Sequence, residues 1–201
     1  MVDRKRAAPT TSTIRGEDWY ARDLDGLAFD NVAFIDVDMT ELTTRGVVFT
    51  ECTFSNVRFN VTEHTESAFI NCSFSGCNFF DATFTRCKLQ GSVFDRCDFD
   101  LLKVDGGNWS FTGLAGAALS GTSFVGVRLR EVDLTGARCV AATFAGCDLS
   151  GAWLRDVDFT QADLRGSDIS ALNPGQSVVR GAQIDADQAA VVAAAVGFVV
   201  S

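Results

Sequence analysis

The feature that most limits what this chain can fold into is a five-residue period. Every fifth residue from Leu24 to Ile169 forms a series of 30 positions without one insertion, and 27 of them are large and apolar. That series holds 14 of the 17 Phe, among them Phe29, Phe34, Phe54, Phe74 and Phe94. Five matches neither the 3.6 of a helix nor the 2 of a long strand, so each pentad must be a short extended piece followed by a turn.

A second inward position lies two residues before each centre, because period-2 geometry points i and i−2 the same way. Small or modest side chains fill it: Val32, Val37, Cys52, Val57, Cys72, Cys77, Ala82, Cys87, Cys97, Ala142, Cys147 and Ala162 are examples. Six of the seven Cys sit there and the seventh, Cys139, is central, so the cysteines read as core filler. Cys52 with Cys72, and Cys77 with Cys97, are spaced for thiol ladders or disulfides, and thiols are the favoured reading. The position two after each centre is Gly twelve times, as at Gly76, Gly91 and Gly151, which marks turns at positive φ.

These residues resemble the pentapeptide-repeat proteins, whose pattern is Ala-(Asp/Asn)-Leu-x-x with a Cys-x-Phe variant. Ala162-Asp163-Leu164-Arg165-Gly166, Cys147-Asp148-Leu149-Ser150-Gly151 and Cys72-Ser73-Phe74-Ser75-Gly76 carry the likeness, which covers residues 22 to 171. The resemblance implies an all-β solenoid, a right-handed quadrilateral β-helix with four pentads per coil. Residues one coil apart then stack about 4.8 Å from each other, and thirty pentads make about 7.5 coils, or ~36 Å of rod.

Three segments are expected: a disordered basic tail over 1–15, the β-helix over 16–184, and a C-terminal helix and tail over 185–201. Asp18, Trp19 and Tyr20 are expected at the first cap, since a solenoid exposes its core at both ends. The pentads falter at Pro174, although Val179 and Ile184 keep the register. Asp185, with Gln188 at the third position after it, reads as a helix N-terminus, and Ala189 to Val196 continue it up to Gly197. That helix has no polar face, so one side should cover the last coil and the other a second chain. A two-fold homodimer is therefore expected, through Ala189, Val191, Val192, Ala195, Val196, Phe198 and Val199.

His64 and Thr44 are two of the three departures from the large apolar series, and they stand one coil apart in the same column. They read as a buried hydrogen-bonded irregularity with Thr62 nearby. One His and Cys scattered at multiples of five give no metal site, no cofactor is implied, and no catalytic constellation is present, so the chain is not read as an enzyme. Trp153 faces outward, as an anchor on a partner or as a lone exposed aromatic.

Charge bears on partners. Residues 16–201 hold 13 basic and 25 acidic side chains, net −12, whereas residues 1–15 sum to +3. A body of that sign repels nucleic acid and favours a basic protein partner. No apolar run is long enough for a membrane span or a signal-peptide core, which leads to an expected cytoplasmic location.

Within the family the narrower resemblance is to the mycobacterial fluoroquinolone-resistance branch. It rests on His64 with Ser67-Ala68-Phe69 and Asn71-Cys72-Ser73-Phe74, on Gly91-Ser92-Val93-Phe94, and on Ile184 to Ala190 running to Gly197. No loop is inserted between pentads, unlike the plasmid-borne quinolone-resistance relatives. The resemblance implies a DNA mimic that binds DNA gyrase and protects it from fluoroquinolones. Asp133, Asp148, Asp156, Asp158, Asp163 and Asp168 are the outward carboxylates expected to stand in for phosphates. The alternative is an acidic scaffolding rod with a partner other than a topoisomerase. A left-handed acyltransferase helix is excluded by its hexapeptide period, and an ice-binding role by the scatter of Thr43, Thr53, Thr83 and Thr143.

Overall fold

The computed structural model describes residues 9–200. Fifteen strands of three or four residues wind through the described residues and pair only in parallel, each with the strand one coil away. They form sheets of five, seven and three strands, and a column of isolated bridges running from Asp18 through Asp38, Arg58 and Asn78 to Val178 makes the remaining face. The result is the right-handed quadrilateral β-helix, with one helix, α1 (Ala186–Ala195), at its C-terminal end.

Coil-to-coil backbone bonds explain why so many short strands hold together. Each centre donates to a carbonyl of the following coil, as Phe79 does to Asp98 at 2.8 Å, and the residue before it donates to the preceding coil, as Asn78 does to Val57 at 3.1 Å. Every coil therefore satisfies its neighbours' amides, which a lone three-residue strand could not do. At the turns, every fifth residue from Gly16 to Gly166 has positive φ, whether or not it is Gly.

The core is aromatic. Phe34, Phe54, Phe74 and Phe94 stack with ring centroids 4.8, 4.7 and 4.6 Å apart, and Phe59, Phe79 and Phe99 form a second column at 4.8 and 5.6 Å. A third, Phe29, Phe49 and Phe69, lies edge-on to the first. Each buried ring contributes about 1.5–3 kcal/mol before entropy. Trp109 takes the largest volume at a centre, and Gly107 stands at its inward position, where a Cβ would lie 2.1 Å from the Cys87 carbonyl oxygen. All seven cysteines are free thiols, and only Cys97 is not fully buried.

The solenoid begins earlier than residue 16. Ser12–Arg15 is a strand paired in register with Val32–Ile35, so the tail expected over 1–15 is corrected from residue 12 onward; residues 1–8 lie outside the described residues. Ile14 and Trp19 sit two pentads and one pentad ahead of Leu24 and continue the same series, which is why they join the core. Trp19 is thus buried in the first coil, its Nε1 donating to Glu17 at 2.8 Å. At the other end, Asn173-Pro174-Gly175 distorts one pentad without adding a residue. Asp156 donates there to Gln176, one position beyond the usual partner, and the regular spacing returns when Phe159 donates to Val178.

The helix closes the rod through polar contacts as well as apolar ones. Gln188 Nε2 donates to the carbonyls of Leu164 and Ser167, both at 2.7 Å, while its Oε1 accepts from the Asp185 amide in a reciprocal capping box. Asp185 also accepts from Gly166, and these amides hold its carboxyl below the usual carboxylate range.

Candidate acidic interaction surface

The six aspartates named from the sequence occupy different parts of the rod. Asp133 lies in the column of Gly113 and Trp153, Asp158 in that of Arg138 and Val178, and Asp163 in that of Thr143 and Gln183. Only Asp148 and Asp168 share a column, one coil apart, and Asp156 stands at an exposed corner with φ 59°. The six are spread around the coil and do not form one patch.

Five of the six have a local task. At the position before each centre, the carboxylate Oδ1 accepts the amide two residues on: Asp133 from Thr135 (3.0 Å), Asp148 from Ser150 (3.1 Å), Asp158 from Thr160 (2.9 Å), Asp163 from Arg165 (3.1 Å) and Asp168 from Ser170 (2.9 Å). This closes an Asx turn at the corner. Hydrogen bonds from Thr160 and Ser170 hold the Asp158 and Asp168 carboxyls below their usual range. Asp163 is further engaged by the Arg165 guanidinium, at 2.7 Å to Oδ2, which lowers it too. Asp148 and Asp168 keep Oδ2 free of hydrogen bonds among the described residues, and so present charge outward. The signal for the turn role is in the sequence, where Asp-x-Thr or Asp-x-Ser recurs at 133–135, 148–150, 158–160 and 168–170.

The helix residues named for a dimer divide in two. Val192 is partly buried against the solenoid core of its own chain, which takes up much of the surface it could offer a partner. Ala189, Val191, Ala195, Val196, Phe198 and Val199 are exposed, with Phe198 at 70% and Val199 at 94%.

His64 is buried in the core with its Nδ1 2.8 Å from the Thr44 hydroxyl, which in turn meets Ser67 Oγ at 2.8 Å. Thr62, expected beside them, donates instead to the Phe59 carbonyl. Ser67 is the partner that sequence reasoning missed; its Oγ also accepts from the Val47 amide at 3.2 Å. Burial pushes the imidazole down to about 3, so it is neutral throughout the physiological range. Among the described residues no three His, Cys, Asp or Glu side chains gather as metal ligands would.

Trp153 is 47% exposed and walls a shallow cleft of about 350 Å³ with Thr135, Arg155, Asn173 and Gln176, beside the distorted pentad.

A stack of four-sided parallel coils, built from five-residue units with no loop inserted among the described residues, defines a β-helix of pentapeptide type. The profile of the family described as Pentapeptide repeats matches in 8 copies, over residues 65–100, 114–151 and 142–173, and supports membership of the chain in that family. Among solved structures, HetL, a pentapeptide-repeat protein involved in heterocyst differentiation regulation from the cyanobacterium Nostoc sp. strain PCC 7120, is similar over 87% of this chain and 86% of its own, with TM-score 0.67 and 17% identity. Full-length QnrB1, a plasmid-mediated fluoroquinolone resistance protein, aligns over 92% of this chain and 100% of its own, with TM-score 0.34 and 17% identity. No curated protein matches the sequence closely enough to count as a relative. No helix of the described residues is long and apolar enough to cross a membrane.

Proposed function

We propose that this protein binds DNA gyrase as a mimic of duplex DNA, inhibits supercoiling and protects the enzyme from fluoroquinolones. The observation that carries this reading is an uninterrupted, loop-free rod whose body holds a net −12 over residues 16–201. Its repeat, C-terminal helix and sequence stretches around His64, Ser92 and Ile184 are similar to the mycobacterial fluoroquinolone-resistance protein MfpA. Two rods of ~36 Å joined through their exposed helix ends and caps would reach roughly 70–100 Å, the length of a ~20–30 bp duplex. A gyrase surface that releases counterions from DNA would meet the free oxygens of Asp148 and Asp168 with Lys and Arg.

The competing reading, an acidic scaffold, draws support from the Asx turns, since those aspartates are needed by the fold whatever the partner. Supercoiling by gyrase of the same organism, with the protein added in rising amounts and with or without a fluoroquinolone, separates the two. A mimic inhibits relaxed-to-supercoiled conversion and lowers drug-stabilised DNA cleavage, and a scaffold leaves both unchanged.

A further inference from the structure

The centre of each pentad places Phe indoors, and 14 of 17 Phe obey that rule. The three that do not, Phe80, Phe111 and Phe198, are all exposed. Phe80 has company. Val61 donates its amide to the Phe80 carbonyl at 2.8 Å on the next coil, and Asp81 donates to Asp100 at 2.9 Å on the coil beyond, which sets Leu101 beside this edge. Val61, Phe80 and Leu101 are 43%, 41% and 53% exposed, so three successive coils present an apolar side chain along one edge of the rod.

Two of these residues are costly for a second reason. Val61 and Leu101 occupy the corner position that requires left-handed backbone, with φ 57° and 61°. Gly, Asn or Asp meets that demand at many corners, and unbranched Glu, Gln and Arg take it at others, as at Glu41, Arg86 and Gln161. A β-branched residue is the least suited to it. Among the described residues the only other bulky apolar residue at such a corner is Phe111, half a coil away on the opposite edge. Folding therefore gains only part of the burial that a core position would give Val61 and Leu101, and nothing by backbone preference. Strain and solvent-exposed apolar surface at one place are the marks of a binding surface.

From this juxtaposition we infer that the Val61–Phe80–Leu101 edge is the docking surface for a protein groove with an apolar floor and a cationic rim. The charge around it selects that occupant. Glu41 precedes Val61 by one coil in the same corner column, and Asp81 and Asp100 lie between Phe80 and Leu101. Asp81 is paired with Lys103 at 2.7 Å, whereas Glu41 and Asp100 make no ion pair among the described residues. Lys and Arg on the rim would meet those two carboxylates while Phe80 fills the floor as a central anchor. The inference rests on the gyrase reading and adds to it: a row of large apolar side chains is something the phosphate backbone of a duplex does not offer, and it would let the rod hold a DNA-binding groove when salt weakens charge.

The test uses the full chain and purified gyrase of the same organism. In the triple variant Val61→Asn, Phe80→Ser, Leu101→Gly, relief of the two corners should raise Tm by a few degrees while gyrase binding weakens by about tenfold or more. The loss should persist between about 0.1 and 0.5 M salt, because the missing contacts are not screened. Phe111→Gly, on the opposite edge, should gain stability and keep its affinity. If the wild-type protein binds and the triple variant binds equally well, the edge is not the docking surface and the gyrase reading stands. If the wild-type protein does not bind gyrase, both fall together.

Discussion

His64 Nδ1 and Thr44 Oγ1 lie 2.8 Å apart on adjacent coils, a polar pair held inside a stack of aromatic rings. The imidazole stacks on Phe84 at 4.6 Å, and its Nε2 is buried with no hydrogen-bond partner among the described residues. Desolvation of the cation keeps the folded group near 3, against 6.5 unfolded. Between those values the unfolded chain binds a proton that the folded chain refuses, so stability is full above about pH 6.5 and falls as pH drops toward 3.

His64 is the single histidine, which makes the effect separable from the carboxylates. Chemical denaturation should show a loss of about 2 kcal/mol between about pH 7.5 and 5, the range above most carboxylate titration. His64→Gln should flatten that slope. A slope unchanged in the variant would mean that another group drives it.

Phe74 stacks between Phe54 and Phe94 at 4.7 and 4.6 Å, in a core one side chain wide on each face. Phe74→Ala should cost about 3–5 kcal/mol, since the coils are fixed by their backbone ladders and cannot close on the gap. Cys77→Ala removes one sulfur at the inward small position and should cost about 1 kcal/mol. Matching melting shifts for the two would contradict the division into central and filler positions.

Asp148→Asn with Asp168→Asn offers a clean removal of charge. Asn already performs the same turn at Asn78 and Asn108, whose Oδ1 atoms accept the Phe80 and Ser110 amides at 2.8 and 3.1 Å. The double variant should therefore stay within about 0.5 kcal/mol of the parent in stability while inhibiting gyrase more weakly and with a shallower dependence on salt. Unaltered inhibition would leave these two carboxylates with their turn role alone.

Val191 on the helix and Val196 at its C-cap are exposed, 40% and 50%, close in sequence to Phe198. Val191→Glu with Val196→Glu should give a folded monomer by sedimentation with much reduced action on gyrase, provided the parent is a dimer. A parent that sediments as a monomer would remove the dimer, and a variant that stays dimeric would place the interface elsewhere.

The five-residue period made most of the fold legible, because a single repeat set both the inward positions and the coil-to-coil pairing seen in every strand. What it hid was local. Ile14 and Trp19 are hard to recognise because the flanking Arg15 and Gly16 look like tail, although both keep the register. Val192 cannot be separated from its neighbours on an all-apolar helix until the last coil turns it inward. The aspartates were legible as outward, but their division among different faces depends on their place within each coil, and their engagement by Ser, Thr and Arg depends on the residue two places on.

The ladder that joins each residue only to partners in the adjacent coils gives the rod a phase. Removal or duplication of one whole coil changes its length by one step and leaves every side chain facing the direction it faced before. A change of one pentad turns everything beyond it by a quarter revolution. Such a molecule can be lengthened to suit a partner without redesign, yet an edge such as Val61–Phe80–Leu101 survives only changes counted in whole coils, much as a thread on a screw survives only whole turns.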